Sequence, residues 1–186
     1  MKRRLIVSVV VTGANLLVFG AANAAVTIVG RGPASDCYQA ATRARRDRIA
    51  LDRCDLALES QFLTPQDQAA TLVNRSIIHL RRNEGASAIA DLDTAIALDP
   101  SLAEARIVRG AALVTLHRFQ EAVDELTRAL ELGPAHPERA YFHRAAAYEE
   151  LGDLRAAYRD YTRAAELAPG WRAPREELTR FQVRTQ

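Results

Sequence analysis

Lysine is almost missing from this 186-residue chain: Lys2 is the single one, and every other fixed cation is an arginine. Cysteine is nearly as scarce. Cys37 and Cys54 form no CxxC and have no histidine near them in sequence, which excludes a thiol-redox motif and a cysteine-based zinc site. No serine lies in a GxSxG turn, and no glycine-rich phosphate loop is present. The four histidines, His79, His117, His136 and His143, are not spaced to share a metal on one helix. Asp91 and Asp93 stand two apart in a helical pattern, hence on different faces, which is not a calcium loop. Nor does any stretch after Gln66 alternate as a strand does. The expectation is a chain with no catalytic residues, no cofactor and no metal.

Long apolar runs are absent except at the start. Lys2, Arg3 and Arg4 precede a largely apolar Leu5–Phe19, and Ala22-Asn23-Ala24 supplies the small residues of a peptidase site. The run is short for a membrane span and is broken by Gly13 and Asn15, so residues 1–24 read as a secretory signal cleaved after Ala24. An uncleaved anchor holding an assembly subunit at the membrane is the alternative. The whole chain carries +2, but residues 1–24 hold three positive charges and no negative one, leaving −1 for the rest. So balanced a chain has no field to attract nucleic acid or anionic lipid. Export to the periplasm or beyond, without membrane insertion after cleavage, also makes a Cys37–Cys54 disulfide the expected state of the two thiols.

What is present is a repeat. Ser76, Ala88, Ala95 and Pro100 are followed by Gly110, Ala122, Ala129 and Pro134, then by Ala145, Ala157, Ala164 and Pro169. The internal gaps never change, and the sets are offset by 34 and 35 residues. Between these points apolar residues recur at helical steps, with Asn83-Glu84-Gly85, Gly133-Pro134 and Gly152-Asp153 as breaks. Small residues at fixed places let two antiparallel helices approach closely, while Leu92, Leu126 and Tyr161 fill the space between pairs. Each proline ends a pair, because it lacks the N–H that a helix interior requires.

The pattern resembles the tetratricopeptide repeat, a 34-residue helix–turn–helix unit. The resemblance covers residues 66–171, with units at about 69–102, 103–137 and 138–171. One departure is that the place usually held by Trp carries Leu72, Arg106 and Tyr141. The family implies an all-α, right-handed solenoid of antiparallel helix pairs whose first helices line a concave groove. Residues 25–65 hold a degenerate hairpin in which Cys54 aligns with Leu92 and Cys37 with Arg75, so that a bridge would pin its two helices. Residues 172–186 read as a capping helix, with Leu178 and Phe181 on one face.

Stacked repeats present binding surfaces and seldom catalytic pockets, which points to a protein or peptide partner. Carried over position by position, the groove holds Val73, Asn74, Ile77 and Leu80, then Ile107, Ala111 and Val114, then Phe142, Ala146 and Glu149. Family members that hold a terminal carboxylate carry Lys, Asn and Arg there. Only Asn74 matches here, so the stripe suits an amphipathic helix, not a carboxylate. Arg43, Arg45, Arg46, Arg48 and Arg53 make the densest positive run, with Asp47, Asp52 and Asp55 to neutralise it. The expected function is a non-catalytic scaffold of the bacterial cell envelope. The competing class is an envelope enzyme, or enzyme subunit, with an unrecognised site.

Overall fold

The computed structural model of the chain describes residues 5–9, 25–26, 32–60 and 62–185. Among them are nine helices: α1 Pro33–Thr42, α2 Arg48–Leu58, α3 Pro65–Arg81, α4 Gly85–Leu98, α5 Ala103–Thr115, α6 Phe119–Glu131, α7 Pro137–Glu150, α8 Leu154–Leu167 and α9 Arg172–Leu178. They form a helical solenoid of hairpins, α1–α2 through α7–α8. The first helices α1, α3, α5 and α7 touch one another along one layer, and each second helix leans on the first helix of the next pair.

Local chemistry sets the boundaries. Thr64, Asp47 and Asp153 cap α3, α2 and α8 by accepting backbone N–H bonds, and Pro33, Pro65 and Pro137 occupy first turns, where no donor is needed. The hairpin turns share one device: Asn83, His117 and Gly152, at the same place in successive units, adopt φ of 61°, 58° and 80°. Asn and Gly suit that left-handed conformation; His117 is held in it by the helices on either side.

Packing follows the repeat. Ala88, Ala122 and Ala157, Ala95, Ala129 and Ala164, and the fillers Leu92, Leu126 and Tyr161 are all fully buried. At Gly110 a Cβ would stand 2.4 Å from Leu126 Cγ, so the α5–α6 crossing is closed by the absence of a side chain.

The N-terminal hairpin is a satellite core of Cys37, Ala40, Ala41, Ala50, Leu51 and Cys54 with Ile78 from α3. Cys37 and Cys54 are joined in a disulfide that closes α1 onto α2. An end hairpin has a neighbour on one side only, so the bridge replaces missing stacking energy. Reduction, or Cys37→Ala with Cys54→Ala, is expected to cost about 2–3 kcal/mol for a loop of this length. A melt followed with and without reductant checks this; an unchanged midpoint would refute it.

The C-terminal expectation needs correction. The helix there ends at Leu178, Thr179 and Arg180 form a turn, and Phe181–Thr185 is a strand, β2, paired antiparallel with β1, Leu5–Val9. Leu5 stands opposite Thr185 and Val9 opposite Phe181. The β-branched residues of both segments favour this over helix. Phe181 is buried with Ala145, Ala157 and Tyr161, so it covers the last hairpin from a strand. Of residues 1–24, expected to be a signal, all but Leu5–Val9 lie outside the described residues. No helix among the described residues is long and apolar enough to cross a membrane.

Candidate functional site

The inner layer of α3, α5 and α7 carries the stripe of Val73, Ile77, Ile107, Ala111, Val114, Phe142 and Ala146, one turn apart on each helix. The layer is far less open than a bare groove. Val73, Asn74, Ile77, Ile107, Ala111 and Ala146 are buried, and only Val114 and Phe142 keep partial exposure. Val73, Ile77 and Leu80 belong to one core with Leu72, Ala88 and Leu92, on which Ala25 and Val26 pack. Ile107 sits in the next core, with Leu113, Leu126, Ala140 and Ala147. Ile107, expected to line the partner-binding groove, is buried in this core and holds α5 to its neighbours.

Phe142 has a different set of neighbours. Its ring lies 4.8 Å from that of Trp171 at the start of α9 and 5.5 Å from that of Tyr161. Glu149, at the far end of the same stripe, accepts from Tyr161 Oη at 3.2 Å and from Arg180 at 2.8 Å. Burial pushes the Glu149 carboxyl up, opposed by Arg180. The C-terminal segment thus ties down this end of the face.

Asn74 is the fully buried polar residue of the face. Fully buried on α3, it donates from Nδ2 to the Val26 carbonyl at 3.0 Å, and its Oδ1 accepts the Val26 N–H at 2.9 Å. Both main-chain groups of one residue meet one carboxamide, the pairing an extended residue makes with a neighbouring strand. Positions equivalent to Asn74 in the next units are Val108 and His143, so this anchor occurs once.

His143 is half-buried beside Phe142, and the loss of solvent around its ring, together with the Arg139 charge, lowers it to about 4. It is neutral at pH 7, while an unfolded chain titrates near 6.5. Between those values the unfolded state binds the extra proton, so stability falls as pH drops from about 6.5 to 4. His143→Gln should remove about 1–2 kcal/mol of that loss between pH 7 and pH 5, read as the difference between two melting series. Identical series would contradict the assignment.

The structure also shows a polar ladder. Arg75 makes two bonds to Asp91, at 2.6 and 2.9 Å, and one to Asp55 at 2.8 Å. Arg109 pairs with Glu125 at 3.0 Å and Asp93 at 2.9 Å. Arg144 binds Asp160 at 2.7 and 3.2 Å and Thr127 at 3.0 Å. Each arginine joins its own second helix to the preceding one, and the planar guanidinium suits such paired acceptors better than lysine would. Asp91 and Asp93 thus serve two different arginines. In the sequence the signal is the constant 16-residue separation of Arg75–Asp91, Arg109–Glu125 and Arg144–Asp160. Cys37 stands in the ladder arginine's place, where the disulfide does the joining.

Within the positive run, Arg45 pairs with Asp47 and Arg48 with Asp52. His79 pairs with Glu84 and His136 with Glu138. Among the described residues no group of three His, Cys, Asp or Glu could hold a metal.

Comparison with known proteins agrees with this architecture. Residues 138–170 match the tetratricopeptide repeat family. A thermophilic tetratricopeptide-repeat protein of Thermus thermophilus is similar in structure with TM-score 0.66 and 19% identity, covering 80% of each chain. The first tetratricopeptide-repeat domain of human RPAP3 has TM-score 0.59 and 26% identity, covering 62% of this chain and 90% of that one. YrrB, described as a tetratricopeptide-repeat protein with an unusual peptide-binding site, has TM-score 0.60 and 17% identity, covering 78% and 74%. No curated protein sequence is significantly similar to the chain. Residues 138–170 are a tetratricopeptide repeat, and the helical hairpins stacked before them carry the fold of tetratricopeptide-repeat proteins.

Proposed function

We propose that the protein is a non-catalytic scaffold of the bacterial cell envelope, which holds an extended peptide segment of a partner along α3, α5 and α7. The observation that carries this reading is the bracket of Asn74 around the Val26 main chain, a peptide seated on the inner face. The seated segment is bound through its main chain, and most of the stripe is buried, which favours a peptide held by its backbone over the amphipathic helix expected from the sequence. A protein of the same fold, YrrB, is described as having a peptide-binding site, which fits the reading without specifying this chain's ligand. Signal cleavage after Ala24 would place the protein in the periplasm or outside the cell. It would remove β1 and leave Ala25, Val26 and the Asn74 seat in place.

The test is a photo-crosslinking residue at Val114, half-buried on the inner stripe, beside one at Leu56, which is exposed on α2. A partner crosslinked in envelope extract from Val114 and not from Leu56 supports the reading. Crosslinking from Leu56 alone would overturn it. Sequencing the exported chain's first residue tests the localisation, for which Ala25 is expected.

A further inference from the structure

We propose that the Asn74 seat is the docking point for an extended, small-apolar segment of a partner, and that the chain's own Ala25–Val26 occupies it until that segment displaces it. This rests on the scaffold reading above and adds the ligand's chemistry and its competitor. A buried carboxamide without partners is costly, so the seat favours an occupied state and exchanges one occupant for another. Both bonds go to main-chain atoms, so Asn74 reads no side chain, and any residue with an N–H fits while proline does not. Size is limited by the surroundings: Ala25 touches both the Cys37–Ile78 core and the Leu72–Leu92 core, and Val26 packs on the latter.

The resident segment is suited to leave. Ala25 and Val26 are only half-buried and lie outside any helix, and Val26 is bonded to Asn74 from 48 residues away in sequence. By contrast, Asn74 belongs to a helix packed on nearly every side. A tethered occupant competes at an effective concentration on the order of millimolar, so it sets a threshold that a partner's segment must exceed. Because Val108 and His143 replace the carboxamide elsewhere, the single anchor also fixes the register of whatever enters.

The probe is a fluorescent peptide with the sequence of residues 25–31, added to the full chain and followed by anisotropy. Val26→Pro removes the resident N–H and leaves the buried Asn74 Oδ1 without it, so the melting midpoint should fall slightly while the helical content is kept. The probe should bind that variant about tenfold more tightly than wild type, the worth of roughly one to two hydrogen bonds. A probe methylated on the nitrogen of its second residue should lose this binding. Equal affinity for both proteins would show that Ala25–Val26 is not the competitor, and a methylated probe that binds equally would show that the main chain is not what is read. Either result would overturn the seat while crosslinking from Val114 still tests the scaffold by itself.

Discussion

Gly110→Val is expected to destabilise the protein by about 3 kcal/mol or more, the upper end of core overpacking. The position is mid-helix, where alanine normally gains about 1 kcal/mol over glycine. Here the added Cβ would stand 2.4, 2.7 and 2.9 Å from three carbons of Leu126, which is itself fully buried between hairpins. Leu126 has no free direction, because Ala122, Ala129, Ala140 and Ala147 share its core. Relief must come from separating α5 from α6, and that strain passes to the next hairpin. Gly110→Ala should follow the same sign at about 1–2 kcal/mol, since propensity offsets part of the clash. Denaturant melts of the two variants check both size and order; a more stable Gly110→Ala protein would contradict the crossing geometry.

Glu125→Ala is expected to cost about 3–4 kcal/mol, the lower half of the range for breaking a buried ion pair. Glu125 is 3% exposed and faces Arg109 at 3.0 Å, Arg106 at 3.1 Å and Arg128 at 3.4 Å. Removing it leaves Arg106 and Arg109 close together with no shared acceptor, while Asp93 still serves Arg109. The figure stays below the top of the range because both arginines retain some solvent. Glu125→Gln keeps hydrogen-bond acceptance and should recover part of the loss. Equal stabilities for the alanine and glutamine variants would mean that charge contributes nothing to this joint.

The helices were legible from the chain because the same small residues recur at constant spacing. Ala88, Ala122 and Ala157 predicted their burial and the crossing of each pair, and the glycine and proline breaks predicted the ends. The ladder is also written in the sequence, as a 16-residue separation repeated three times. It does not stand out there, because arginine and acid counts on a charged surface suggest solvation before they suggest pairing. The burial of Ile107 was hidden for another reason: a stripe at helical spacing marks an apolar face without saying what covers it. Residues 25 and 26 could not be placed on Asn74 from pattern at all, since main-chain recognition leaves no trace in side-chain identity. At the other end, Phe181 was assigned to the right partner surface and the wrong element, because a seven-residue helix gives periodicity little to work with.

Hydrogen exchange on the full chain, with and without its crosslinked partner's binding segment, is the sharpest test of peptide binding on the inner face. Slower exchange in α3 and α5 is expected on binding, with the Val26 amide losing protection as its bond to Asn74 is surrendered. Protection confined to the arginine-rich start of α2, or to α9 and β2, with Val26 unchanged, would contradict this and move the binding surface off the inner face.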